Sequence, residues 1–197
     1  MPLRTIIAVL LLAPLGFLAL VGVWSTEGGS ASSLPFPAVR NELRGGAQPA
    51  AGDPVRLRIP ALNVDAAVED VGLTASGGMD VPKNWNHAGW FRFGARPGEA
   101  GNAVLAGHLD SPSAPAIFWD LAKLRPGDAV TVEDALGRIH TFTVTNSVRY
   151  TGGDAPMEEL FGPTPRSLLR LITCEGEWDK EKETYGERLV VTARMKT

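Results

Sequence analysis

Cysteine occurs once in this chain of 197 residues, which excludes an internal disulfide and with it the small secreted folds held by paired cysteines. An excess of positive charge is missing too. Nineteen Lys and Arg stand against 22 Asp and Glu, so no basic surface is on hand to neutralise phosphates, and no nucleic-acid partner is expected. Beyond residue 23 no long apolar run recurs, which excludes a polytopic membrane protein. There is no repeat at a fixed period and no His/Cys/Asp grouping with metal-ligand spacing, so neither a repeat array nor a bound metal or other cofactor is expected. What is present is 44% apolar residues, too many for a disordered chain and enough for one ordinary domain with appendages.

The one long apolar run opens the chain. Ile6 to Val23 holds eighteen residues without an ionisable side chain, about 27 Å as a helix against a hydrocarbon core of roughly 30 Å. That exceeds the roughly 7 to 15 residues of a signal-peptide core, so residues 1–23 are expected to form a signal anchor, a single transmembrane helix. Pro14, Gly16 and Gly22 are compatible with a helix in lipid. The alternative, a cleaved signal peptide, would use the small residues around Ser30 to Ser33, which form no A-x-A pattern. Arg4 flanks the run and no further basic residue follows until Arg40, which puts the N-terminus in the cytoplasm and the rest outside. Residues 24–52, rich in Gly, Ser, Ala and Pro, read as a flexible tether, and residues 53–197 as one domain.

Short runs between Gly/Pro turns make that domain mostly strand. The expected strands are Val55–Ile59, Ala103–Ala106, Ala129–Val132, Arg138–Val148, Leu168–Thr173 and Arg188–Ala193. Helical stretches are few: Ala116–Leu124 and Met157–Phe161 each suffice for a turn or two. The spacing indicates an all-β fold, an antiparallel barrel or sandwich.

Chemistry gathers at the lone cysteine. Leu168 to Thr173 reads as a strand delivering Cys174 to a charged loop, Glu175 to Glu183, and strand ends of this kind hold nucleophiles on a rigid scaffold. A thiol needs a cationic partner or a base to become nucleophilic. His108 ends the run Asn102 to Gly107 and stands at a similar junction of strand and loop. Position alone leaves Cys174 open between a reactive and an inert thiol, and His108 between a catalyst and a surface residue. His140 shares a face with Phe142 and Val144 and reads as structural. His87 could line a cleft with Trp85 and Trp90, although such aromatic residues also serve as packing. Arg188 heads the last expected strand. Its guanidinium would stabilise an oxyanion if it faced the thiol, and would otherwise be a solvated strand-end charge.

Taken together these residues resemble the sortase family, and most closely its class F branch. The resemblance rests on Ala106-Gly107-His108 after an apolar strand, Leu171-Ile172-Thr173-Cys174 at a strand end, and Arg188 fourteen positions later. The flanks Arg56-Leu57-Arg58-Ile59-Pro60, Pro97 to Asn102, Phe118-Trp119-Asp120-Leu121 and Leu124 to Asp128 agree, so it covers essentially residues 53–197. It implies a closed eight-stranded sortase-type β-barrel with a few short helices, preceded by the N-terminal membrane helix, and a cysteine transpeptidase of the thiol-endopeptidase type. Cys174 would attack the Thr–Gly carbonyl of an LPXTG-like sorting signal on a surface protein. His108 would protonate the leaving amine and later deprotonate the incoming amine of a peptidoglycan precursor or pilin. Arg188 would stabilise the oxyanion and Thr173 would assist near it, with His87 and Trp90 as further substrate-binding candidates. Sortases act at the outer face of Gram-positive cell membranes, in keeping with an anchor through residues 6–23, and the Ala, Gly, Pro and Arg content fits an actinobacterial source.

Two features depart from the family pattern. Arg170 occupies a usual Thr position, and Glu175-Gly176-Glu177 follows the cysteine, so adjacent carboxylates are expected to oppose the thiolate. Arg194 is the fallback cation if Arg188 points away. A competing enzyme class, the L,D-transpeptidases, brings His and Cys together in one short stretch, unlike this chain. The non-enzymatic alternative is a membrane-tethered β-barrel binding module with an inert Cys174.

Overall fold

Leu57 and Ile59 point to one side of the first strand and Arg56 and Arg58 to the other, so burial of the apolar pair fixes which face of the strand meets the core. This computed structural model describes residues 50–151, 153–181 and 184–196. The expected anchor and the tether before Ala50 lie outside the described residues. Among the described residues no helix is long and apolar enough to cross a membrane.

Among the described residues the strands are β1 (Pro54–Ile59), β2 (Val64–Val71), β3 (Ala88–Phe91), β4 (Gly101–Ala106), β5 (Ala129–Asp134), β6 (Ile139–Thr151), β7 (Ser167–Asp179) and β8 (Thr184–Met195), with one α-helix, α1 (Met157–Phe161), between β6 and β7. They close in the order β1-β2-β3-β4-β7-β8-β6-β5, with β5 returning to β1. The expected choice between barrel and sandwich is thereby decided for the barrel, and the antiparallel expectation is corrected. β2 with β3 and β4 with β7 run parallel. Each parallel pair needs a crossover. Residues 72–87 supply the first, and β5, β6 and α1 lie in the second.

Leu57, Leu105, Phe118, Phe142, Leu169, Leu171 and Leu189 are almost wholly removed from water inside the barrel, each contributing about 1.5–3 kcal/mol relative to exposure. Trp90 belongs to this core at 2% exposure, and its indole Nε1 donates to the Ala95 carbonyl at 3.1 Å. Its expected part in substrate binding is corrected to packing, because β3 turns its ring inward.

The sequence pattern missed β2 and β3. In β2 the acidic residues Asp65, Glu69 and Asp70 break the apolar pattern, yet Asp65 is matched by Arg56 across the β1–β2 pair at 2.6 Å. β3 has four residues, too few for a periodic signal. β7 and β8 both extend further toward their shared turn than expected, so most of the charged stretch after Cys174 is hairpin and not loop. A register shift between Glu175 and Trp178, with Gly176 at φ 85°, kinks that hairpin. Of the two helical expectations, Met157–Phe161 is helix, whereas Ala116–Leu124 contains only the 3-10 turn Leu121–Lys123.

A polar cluster ties down the start of the domain. Asp134 on β5 accepts from the Gly52, Leu136 and Arg138 backbone N–H groups, from Arg138 Nε at 2.9 Å and lies 3.0 Å from His140 Nε2. Arg138 also donates to the Ala50 carbonyl, and the Ala51 N–H to Glu99. The last three residues of the expected tether are therefore held by the barrel, and His140 is structural as expected.

Candidate active site

Register alone brings the two central residues together. β4 and β7 run parallel with Ala106 beside Ile172, and His108 and Cys174 each follow two positions later on the same face. The turn between them is stitched: the Gly107 N–H donates to the Ile172 carbonyl at 3.0 Å, and the Thr173 hydroxyl donates to the Gly107 carbonyl at 2.8 Å. A Cβ at Gly107 would stand 2.4 Å from the Phe118 ring, so glycine is the residue that lets the chain pass the core here. Thr173 is thus a positioning residue; its hydroxyl is committed to Gly107 and not turned to an oxyanion.

On the other side of β7, Cys174 lies directly opposite Arg188 of β8. Cys174 is inside a strand and Arg188 is five residues into one, which corrects the expected strand-end placement of both. The same outer face carries the pairs Ile172–Val190 and Arg170–Thr192, so one ladder holds the reactive pair, an apolar floor and a polar clamp. Arg188 Nη1 donates to the carbonyls of Tyr185 and Glu187, both at 2.8 Å, and Nη2 to the Thr184 hydroxyl at 3.1 Å. Its guanidinium is fixed within electrostatic reach of the thiol. Arg194, the fallback, sits opposite Leu168, six positions from Cys174 along β7.

Burial pushes the half-buried Cys174 thiol above its ordinary pKa, the Arg188 charge pulls it back, and Asp110 pushes it up again. The opposing carboxylate is therefore Asp110 and not the sequence neighbours. Glu175 turns away to Arg149 at 3.3 Å.

His108 Nε2 is 2.8 Å from the Pro82 carbonyl, and since a carbonyl only accepts, that nitrogen carries a proton. Trp85 leans on the imidazole with ring centroids 4.3 Å apart. His108 and Cys174 line the same cleft without a hydrogen bond between them. His87 lies outside that cleft: its Nδ1 is 2.8 Å from Glu69 Oε1, and Glu69 also accepts from the Lys83 and Asn84 N–H groups. Those bonds, the Lys83 one first, hold the Glu69 carboxyl below its ordinary pKa despite some burial. His87 thus braces the 72–87 crossover that carries Pro82 and Trp85 to His108.

Cys174 separates two cavities of different chemistry. One, of about 210 Å³, is walled by Met79, Val81, Leu160, Phe161, Ile172 and Val190. The other, of about 620 Å³, is lined by Trp85, His108, Asp110, Trp178 and Tyr185. Tyr185 donates its hydroxyl to Asp110 at 2.5 Å, and that bond, with burial, pushes the phenol up to about 12. The apolar wall is held by buried Arg170, which donates to Asn102 Oδ1 at 3.0 Å, Thr192 Oγ1 at 2.6 Å and the Glu159 carbonyl at 3.2 Å. Asn102 reaches the Glu159 and Gly162 carbonyls, so the C-terminal end of α1 is fastened to the barrel.

Sequence reasoning missed Asp110, Trp178, Tyr185 and Pro82. The available signal was the pair of aromatic residues inside the charged stretch after Cys174, whose ring centroids lie 5.1 Å apart across β7 and β8. Among the described residues no three His, Cys, Asp or Glu side chains gather as a metal site would require.

A thiol, an imidazole and a guanidinium at one rim of a closed barrel are the parts of a cysteine-based acyl-transfer site. The model of the sortase domain matches residues 57–196, and the chain belongs to the sortase family, whose members are cysteine transpeptidases. Sortase C-1 from Actinomyces oris is 25% identical over 74% of this chain and 76% of its own, with a TM-score of 0.58. Sortase C1 from Streptococcus agalactiae is 22% identical over 73% and 67%, at 0.57, and sortase A from Corynebacterium diphtheriae 19% over 76% and 63%, at 0.58. No curated protein matches the chain.

Proposed function

We propose that this chain is a class F sortase, anchored by residues 6–23 in the cell membrane with its barrel outside, that cleaves an LPXTG-like signal between Thr and Gly. It then transfers the protein to an amine of a peptidoglycan precursor or a pilin. The observation that carries the reading is the convergence of Cys174, His108 and Arg188 between an apolar groove and a second cleft. The apolar groove suits the Leu and Pro of such a signal. Attack by the Cys174 sulfur on the Thr carbonyl, with the thiol proton passing to the second ring nitrogen of His108, forms a tetrahedral oxyanion beside the Arg188 guanidinium. His108 gives its Nε2 proton, held by Pro82 in the resting arrangement, to the departing Gly amine, which leaves a thioester on Cys174. An incoming amine then loses its proton to His108 and displaces the thiol.

The test is incubation of the purified full-length chain with an LPXTG-type peptide and an amine acceptor, in parallel with Cys174→Ala, with products followed by mass spectrometry. The reading requires cleavage between Thr and Gly and joining of the acceptor, both absent in the variant. A panel of LPXTG and LAXTG peptides left intact by the wild-type chain would overturn it.

A further inference from the structure

The charge on Asp110 opposes the thiolate of Cys174, so this carboxylate hinders the first step of the reaction. Once the thioester has formed the sulfur carries no charge, and the opposition ends. A carboxylate beside the nucleophile is therefore less of a hindrance in the second half of the reaction, when the acceptor arrives.

Its surroundings indicate a use at that stage. Asp110 lines the larger cleft together with Trp85, Trp178 and Tyr185, and Tyr185 takes one of its oxygens, Oδ2. Among the described residues no Lys or Arg forms an ion pair with it, and Oδ1 has no hydrogen-bond donor. A half-buried carboxylate that shares the lining of a cavity of about 620 Å³ with three aromatic side chains is complementary to an organic ammonium, whose charge the carboxylate would pair and whose methylenes the rings would cover. The groove on the other side of Cys174 has apolar walls and suits an acyl donor instead.

We infer that Asp110 is the recognition residue for the amine acceptor, holding a primary ammonium on a short alkyl chain in the Trp85–Trp178–Tyr185 cleft. The inference rests on the transpeptidase reading and gives it a direction: the donor lies in the apolar groove and the acceptor enters from the acidic side. Of the three ammonium protons, one goes to neutral His108, one stays on the new amide nitrogen, and one goes to the sulfur. The C–N bond forms as the C–S bond breaks, which restores the Cys174 thiol.

The experiment uses the full chain with an LPXTG-type donor and two nucleophiles, Nα-acetyl-lysine amide, cationic at neutral pH, and hydroxylamine, uncharged there. Asp110→Asn keeps the shape and removes the charge. The expected result is a rise of about tenfold in KM for the lysine amide, the loss of one charged hydrogen bond, with a change under about twofold for hydroxylamine. Acylation of Cys174 by the donor, which also reports folding, does not fall. An unchanged KM for the lysine amide, or an equal rise for both nucleophiles, overturns the inference alone. No acyl adduct in the wild-type chain overturns the transpeptidase reading and this inference with it.

Discussion

Asp134 ends β5 and Asp110 lies in the loop after β4, and each is a few residues from a histidine, yet their surroundings differ. Asp134 is 1% exposed and contacts five donors, three of them backbone N–H groups. Burial alone would raise its pKa, but His140, the backbone donors and Arg138 together hold it well below the usual carboxylate range. Asp110 is half-buried beside a cleft, with Tyr185 as its hydrogen-bond donor among the described residues. A carboxylate saturated by its own chain is structure. One left with open lone pairs beside a nucleophile is available to a ligand, and this separates the anchoring end of the barrel from its reactive end.

The sharpest way to break the comparison is to remove each carboxylate. Asp134→Ala leaves His140, Arg138 and backbone N–H groups without their acceptor and is expected to cost about 3–5 kcal/mol, whereas Asp110→Asn costs under about 0.5 kcal/mol. Urea unfolding checks both. The depressed carboxyl of Asp134 also predicts the sign of acid denaturation. The unfolded chain binds the proton first, so the contribution of Asp134 is complete above the ordinary carboxylate range and lost as pH falls below about 4. In Asp134→Ala the stability curve flattens in that window.

Arg170 extends the comparison to the reactive face, where it is saturated like Asp134. Arg170→Ala strands Asn102, Thr192 and the Glu159 carbonyl, and is expected to cost about 2–3 kcal/mol. It also raises the donor KM, because α1 loses its fastening beside the apolar groove. A variant as stable as wild type with an unchanged donor KM would deny Arg170 this part.

Smaller and opposite effects are expected on the thiol. Arg188→Gln removes the charge that favours the thiolate and slows iodoacetamide alkylation at pH 8 about threefold, while Asp110→Asn speeds it about threefold. Because burial dominates, the wild-type alkylation rate keeps climbing beyond pH 9. Smallest is Glu69→Gln, which loosens His87 and the loop behind His108 and lowers turnover about twofold, with stability within about 0.5 kcal/mol.

In the sequence Cys174 stands out as the lone cysteine after one apolar run and His108 as the residue closing another, position leaves their roles open, and Arg188 is joined to them by the family resemblance. The sequence also marked α1 and six of the eight strands. β2 was hidden because Asp65, Glu69 and Asp70 interrupt its apolar alternation, and β3 because four residues carry no period. His87 and Trp90 looked like cleft residues by proximity in sequence, yet one serves Glu69 and the other the core. Asp110 and Tyr185 lie 75 residues apart and become a pair only through the parallel β4–β7 register and the β7–β8 hairpin. Pairings of that range depend on barrel closure, which local pattern does not encode.

The central claim, that Cys174 is a nucleophile and not an inert buried thiol, is tested most directly by the intact mass of the chain incubated with donor peptide and no acceptor. The account predicts an added mass equal to the donor up to its Thr, located on Cys174 and discharged on adding the lysine amide. A chain that keeps its native mass with every donor, and whose thiol stays unalkylated even above pH 9, would contradict it.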